Sequence, residues 1–116
     1  MLRLYHPEVF MPPALRARLP IGELKLSFSD HARQEARQDG VRLPATLDTR
    51  RAELFEVATV NGIPMKMGYR VPLDERRDLC LIIALDGGYP YPVVTCWTND
   101  RWDSHRTLNR RRYAVC

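Results

Sequence analysis

Hydrophobic and polar positions alternate along several short blocks of this chain, which is the pattern of β-strands. From Glu23 to Phe28, leucine and phenylalanine alternate with lysine and serine, which predicts a short strand. Four further blocks in the second half also predict strands, and these span Glu53 to Val60, Ile63 to Val71, Leu79 to Leu85, and Pro92 to Thr98. The third of these four blocks is continuously apolar, so we expect it to form a central strand that is buried on both faces.

Short turns join these four blocks. Asn61-Gly62 is the strongest of them, because a two-residue type I′ turn needs positive φ at both positions. Consecutive strands joined by such short turns pair antiparallel, so the second half predicts a four-stranded antiparallel meander. The two-residue turn also fixes the register of the first hairpin, with three predicted pairs: Val60 with Ile63, Val57 with Lys66, and Glu53 with Arg70.

One main helix is predicted between the first strand and the meander. The segment from His31 to Asp39 is rich in alanine, arginine, glutamine and glutamate, which favour helix. Ser29 or Asp30 offers an N-cap, and Gly40 stands where helices commonly end.

The two segments outside these elements are predicted to be irregular. Residues 1–20 contain four prolines, which favours an extended arm with at most one helical turn near Ala14 to Leu19. Leu43 to Arg51 is interpreted as a loop or short turn. We therefore predict one α+β domain over residues 1–116, with a proline-rich arm (1–20), a core (23–98) and an arginine-rich polar tail (99–116).

The formal net charge is +4, and nearly all of the 18 basic residues are arginine. Arginine suits phosphate because its planar fork donates two parallel hydrogen bonds. RNA or another nucleic acid is therefore a candidate partner. An arginine-rich composition also follows from a GC-rich genome, so this alternative stays open.

The cysteines and the hydropathy bear on location. Three cysteines without CxxC spacing do not suggest a disulfide framework, which favours a reducing cytoplasm. No apolar run is long enough to span a membrane, and the N-terminus lacks the apolar block of a secretory signal. We expect a cytoplasmic protein without a membrane partner.

Three candidate catalytic groups lie in the predicted core. Lys66 and Arg70 are four residues apart in a strand, so both leave the same sheet face and can hold a polyanion. Alternatively, Arg70 pairs with Glu53 on a solvent-facing sheet. His31 stands in the first helical turn, where a neutral imidazole can act as a general base, or where it is simply a surface neighbour of the cap.

The segment after the last strand holds the densest set of candidates. Asp103 lies two residues before His105, and a carboxylate can orient a histidine for proton transfer. Tryptophan beside arginine suits a nucleobase on a phosphate backbone. The alternative is structural, with Asn99 and Asp103 capping a turn, Trp97 and Trp102 closing the core edge, and His105 bonding backbone. The predicted nucleic-acid-binding residues are Trp97, Asn99, Arg101, Arg106, Arg110 and Arg111.

No metal or cofactor is expected, because the chain contains no metal-ligand spacing, no P-loop and no glycine-rich dinucleotide motif. The helix that opens with Ser29 to Ala32, and the meander that ends in Val93 to Thr95, resemble the barnase–EndoU–colicin–RelE superfamily of small ribonucleases and toxins. The resemblance covers residues 24–98. It implies a helix packed across one sheet face, and metal-independent RNA cleavage at a site around His31, Lys66, Arg70 and Thr95.

The function expected on this basis is RNA cleavage, in which the 2′-hydroxyl attacks the adjacent phosphate. One of His31 and His105 removes a proton and the other supplies one. Lys66 and Arg70 stabilise the charge on phosphorus, and Asp103 orients His105. The alternative is a non-enzymatic regulatory or inhibitory protein, as some small phage proteins are, that binds nucleic acid or a protein such as an antitoxin or host factor. A homodimer through an uncovered sheet edge is a third possibility.

Overall fold

The computed structural model describes residues 1–101, which form seven β-strands and two short helices. Their bounds are β1 (Leu2–Tyr5), α1 (Pro13–Arg16), β2 (Glu23–Ser27), α2 (Asp30–Gln38), β3 (Thr46–Asp48), β4 (Glu53–Val60), β5 (Ile63–Pro72), β6 (Arg77–Ala84) and β7 (Tyr91–Asp100). The described chain is therefore mostly β.

All seven strands belong to one sheet, in the order β1-β4-β5-β6-β7-β2-β3. Neighbouring strands are antiparallel except for β2 and β7, which run parallel with Leu26 beside Tyr91. The predicted fold class, with one main helix and a four-stranded antiparallel meander, is therefore wrong. Strands β4 to β7 are the middle of a larger mixed sheet, and α2 has only nine residues.

The sequence prediction missed β1 and β3, the two edge strands. Residues 1–20 were predicted as an irregular arm, yet β1 pairs with β4 along its whole length and α1 follows it. The segment 43–51 was predicted as a loop, yet it contains β3, which pairs with β2 and buries Leu47. A strand of three or four residues gets its hydrogen bonds from its neighbour, so its local sequence pattern is too short to reveal it.

The predicted hairpin turn is present at Asn61 (φ 52°) and Gly62 (φ 81°). Both residues have the positive φ that the two-residue turn requires. Two of the three predicted pairs are confirmed, namely Val60 with Ile63 and Glu53 with Arg70.

The third predicted pair is wrong, because Val57 lies opposite Met67 rather than Lys66. The register shift between Ala58 and Thr59 causes this, and a second shift lies between Leu54 and Glu56. Met65 is an extra residue on β5 at the first shift, and Phe55 is an extra residue on β4 at the second. Because the bulges lie on opposite strands they cancel, which restores the predicted register at the far end of the hairpin.

The sheet curls so that its β2–β3 end packs over one face, which we call the core face. On β5 this face carries Met67 and Tyr69, and they pack with Leu24 and Leu26 of β2 and Leu47 of β3. Beside them, Met11, Leu15 and Leu19 from the α1 segment pack on Val57 of β4. The α1 segment thus serves to close part of this face, through apolar burial.

The predicted helix is present as α2, shifted by one residue from the predicted bounds. The hydroxyl oxygen of Ser29 accepts a hydrogen bond from the backbone N–H of Ala32 at 3.1 Å, which is the expected N-cap contact. Phe28 and Val41, on either side of the helix, pack against the main core.

The cysteines differ from each other. Cys80 carries a free thiol in the sheet interior, and burial raises its pKa to about 12, because a thiolate is poorly solvated there. Cys96 is disulfide-bonded, whereas the number and spacing of the cysteines did not suggest a disulfide framework. Neither of the helices described in residues 1–101 has the length and apolar content to cross a bilayer. Cytoplasmic location stays a prediction.

Candidate functional site

The sheet face opposite the core face is called here the cavity face, and it carries Lys66, Gly68 and Arg70 of β5. Side chains alternate along a strand, so Lys66 and Arg70 do share a face, as predicted. Their surroundings differ. Lys66 is exposed, whereas the side chain of Arg70 is only 5% exposed.

Arg70 is bound to the protein through several of its donors. Its Nε donates to Oδ2 of Asp78 at 2.6 Å, and one terminal nitrogen donates to the carbonyl oxygens of Asp100 (2.8 Å) and Arg101 (3.1 Å). These bonds join β5 to β6 and to the end of β7. A guanidinium held in this way stabilises the fold, and it is not placed to receive a phosphate from solvent.

Arg101, predicted to bind nucleic acid, joins the same cluster. Its Nε donates to Oδ1 of Asp78 at 3.2 Å, and a terminal nitrogen donates to the carbonyl oxygen of Asp74. Asp78 therefore accepts from two arginines, one on each carboxylate oxygen. The carboxylate and two guanidiniums form a charge-assisted network rather than an open cationic surface.

Trp97 and Asn99, also predicted to bind nucleic acid, are buried at 5% and 7% exposure. The Trp97 ring packs edge-to-face against Phe55, with ring centroids 5.9 Å apart and planes at 79°. Base stacking needs an exposed ring face. In this arrangement the indole contributes to a small apolar cluster with Cys80 and Ile82 instead.

His31 does not lie at this cluster. His31 is exposed at the start of α2, with its Nε2 3.9 Å from Oε1 of Glu35. It does not line the cavity that Lys66 lines. The other predicted site residues lie outside the described residues, and they are Asp103, His105, Arg106, Arg110 and Arg111. Within residues 1–101, no three histidine, cysteine, aspartate or glutamate side chains come close enough together to hold a metal ion.

An open concavity of about 520 Å³ lies on the cavity face, beside β1. Its exposed apolar lining consists of Leu2, Leu4, Val60 and Val94, which are 39% to 65% exposed. Its polar lining consists of Glu56, Lys66, Asp86 and Thr95. We call this feature the aliphatic cavity. Several exposed aliphatic side chains around one concavity are typical of a binding site.

The aliphatic cavity adjoins the edge strand β1, whose outer edge pairs with no other strand of the described chain. The N–H of Asn61 donates to the carbonyl oxygen of Met1 at 3.1 Å. Hydrogen-bonded and non-hydrogen-bonded pairs alternate along an antiparallel ladder. The amide groups of Arg3 therefore also face β4, whereas those of Leu2 and Leu4 face the open edge.

The opposite edge of the sheet is protected in a way that β1 is not. Strand β3 has three residues, and Asp48 at its end pairs with Arg50 at 3.0 Å and with Arg51 at 3.9 Å. Short, charged edge strands resist pairing with other chains. Strand β1 is also short and carries Arg3, but its Leu2 and Leu4 are exposed and leave that edge more open to pairing than β3.

The chain matches no family model, no curated protein and no solved structure. The resemblance to the barnase–EndoU–colicin–RelE superfamily therefore stays a prediction.

The sequence analysis overlooked both the open edge of β1 and the aliphatic cavity. A signal was present, because Leu2 and Leu4 alternate with Arg3 and Tyr5. The nearby prolines outweighed this four-residue alternation in the prediction.

Proposed function

We propose that this chain is a non-enzymatic binding module that takes up an extended apolar segment of a protein partner. The segment adds to the sheet at the open edge of β1, and its side chains enter the aliphatic cavity. This is the mode of recognition in which main-chain hydrogen bonds give affinity and pockets for alternate side chains give specificity.

One observation carries the proposal: the open edge and the aliphatic cavity adjoin each other on the same strand. Leu2 and Leu4 offer two N–H donors and two carbonyl acceptors to an added strand, and their side chains line the cavity. A guest strand paired with them would place every second side chain over the cavity. Backbone pairing and apolar burial are thus available together.

The charges near the cavity favour a protein segment over RNA. Among the lining residues that belong to 1–101, Lys66 is the one cation, beside the carboxylates Glu56 and Asp86. Two carboxylates and one cation among these described residues do not favour phosphate binding. The four arginines and one aspartate of residues 102–116 account for three of the four net positive charges, so the charge that suits RNA belongs to that segment.

RNA cleavage, the function predicted from the sequence, can be tested directly. We expect the full chain to leave RNA intact in EDTA. The guanidinium of Arg70 is hydrogen-bonded to Asp78, so it cannot stabilise the phosphorane that forms during cleavage. The measurement is gel electrophoresis of a long RNA at high protein excess. Cleavage that disappears when His31 and His105 are both replaced by alanine would overturn our proposal, while cleavage that persists in that variant comes from a contaminating nuclease.

Strand addition predicts that a change at the open edge weakens peptide binding without unfolding the protein. Leu4→Pro removes an N–H that faces away from β4, and proline is tolerated on edge strands in that position. We expect peptides selected from a phage-displayed dodecapeptide library on the full chain to bind this variant at least about tenfold more weakly. Fluorescence polarisation with the selected peptides measures the effect.

The matched control is Ile21→Asp, which changes an apolar side chain of 76% exposure that does not line the aliphatic cavity. This variant is expected to bind the same peptides as tightly as the parent chain. A second variant, Val94→Asp, alters the cavity while leaving the β1 edge intact, and is expected to weaken binding. Selected peptides that bind all three variants equally would show that they do not use this site.

A further inference from the structure

We infer that the segment bound at β1 carries an acidic residue between two aliphatic residues. This inference rests on the proposed function and deepens it, because it names the chemistry of the partner. The two faces of β1 carry different groups, so they set different requirements for alternate side chains of a guest strand.

The first requirement comes from the cavity face. Guest residues directly opposite Leu2 and Leu4 project to the same side as those leucines, over the aliphatic cavity. Aliphatic side chains at these two positions bury apolar area against Leu2 and Leu4 at the rim of the cavity, which are otherwise 65% and 42% exposed.

The second requirement comes from Arg3, which lies between the two leucines and projects to the other face. Its guanidinium carbon lies 4.8 Å from the centroid of the Tyr5 ring, two residues along the strand. This cation–π contact positions an exposed cation beside the open edge. Within residues 1–101, Arg3 has no carboxylate at ion-pair distance. A guest residue directly opposite Arg3 is therefore favoured when it is acidic.

The same cation argues against a second copy of this chain as the occupant. Antiparallel self-pairing that uses the open amides of both leucines puts Leu2 opposite Leu4 of the second copy. This register places Arg3 directly opposite Arg3 of the second copy, and like charges in that position are destabilising. The edge thus suits a segment of different sequence.

Two synthetic, end-capped nonapeptides test the inference. One has valine-glutamate-valine at its centre between threonines and serines, and the other has lysine in place of the glutamate. We expect the glutamate peptide to bind the full chain about fivefold more tightly, since the lysine peptide replaces an attractive cross-strand pair by a repulsive one. Titration followed by amide NMR shifts of Leu2 and Leu4 measures both affinities at the site itself.

The charge-reversal variant Arg3→Glu is the decisive control, and we expect it to prefer the lysine peptide. Equal affinities of both peptides at β1, unchanged by Arg3→Glu, would overturn this inference and leave the proposed function standing. If neither peptide shifts Leu2 or Leu4 at its solubility limit, and no library peptide does so, both proposals fall. A self-association seen by light scattering that Leu4→Pro abolishes would identify a second copy as the occupant of the edge and overturn the inference as well.

Discussion

Replacing Asp78 by asparagine is expected to lower the free energy of unfolding by about 3–5 kcal/mol. Asp78 is 7% exposed and is the carboxylate that pairs with the buried guanidinium of Arg70 at 2.6 Å. Asparagine keeps the size but removes the charge, and its amide nitrogen cannot accept from a guanidinium. A buried cation then loses its counter-charge, which is the costly way to break such a pair. Urea denaturation monitored by circular dichroism measures the change.

The matched control for this prediction is Asp74→Asn. Asp74 also pairs with an arginine, Arg77, at 2.8 Å, but both side chains are roughly two-fifths exposed. Water screens an exposed pair, and the asparagine oxygen can still accept the backbone N–H groups of Arg76 and Arg77. This variant is expected to lose much less stability than Asp78→Asn. Equal losses would contradict the assignment of Arg70 and Asp78 as a buried structural pair.

Replacing Gly68 by alanine is expected to destabilise the protein by about 1–3 kcal/mol. A Cβ at this position would lie 2.8 Å from Cζ of Phe55 and 2.9 Å from Cδ1 of Ile82. Both neighbours are buried, and Phe55 is held against Trp97. Added volume therefore has to displace packed side chains, and it outweighs the usual gain of replacing glycine in a strand. The midpoint of chemical denaturation reports the loss.

The double variant Gly68→Ala with Phe55→Leu separates this cause from a backbone effect. Leucine leaves room where the phenylalanine ring stood, so the two changes together are expected to cost less than the sum of the single changes. Additive costs would show that Phe55 is not what excludes a side chain at Gly68.

The central hairpins could be predicted from the sequence because each depends on a short stretch of neighbouring residues. The Asn61-Gly62 turn fixes its own two neighbours, and the apolar run from Leu79 to Leu85 is a buried strand in any sheet. The two β-bulges of the first hairpin could not be predicted from the sequence, because their register shifts cancel. Phe55 as an extra residue is explained by Gly68 on the adjacent strand, which leaves space for its ring.

The candidate site was less predictable than the fold, because it depends on which residues meet in space. The spacing of Lys66 and Arg70 predicted that both share one sheet face. It could not predict that Asp78, eight residues after Arg70, approaches the arginine and buries it. The same holds for Leu2 and Leu4, whose importance depends on β1 being an edge. Only the sheet order reveals that position.

The parallel pairing of β2 with β7 has a consequence for how the chain is made. The parallel pairing joins Leu26 and Ser27 to Tyr91 and Pro92, which are synthesised much later. The hairpins from β4 to β7 do not depend on a distant segment, since each strand pairs with the strand that is synthesised next. Contacts between distant parts of a chain form slowly because a long loop must close first. We therefore expect β2, although it is translated early, to be among the last strands to join the sheet. Leu24 and Leu26 of β2 are then not fully buried until β7 has been synthesised.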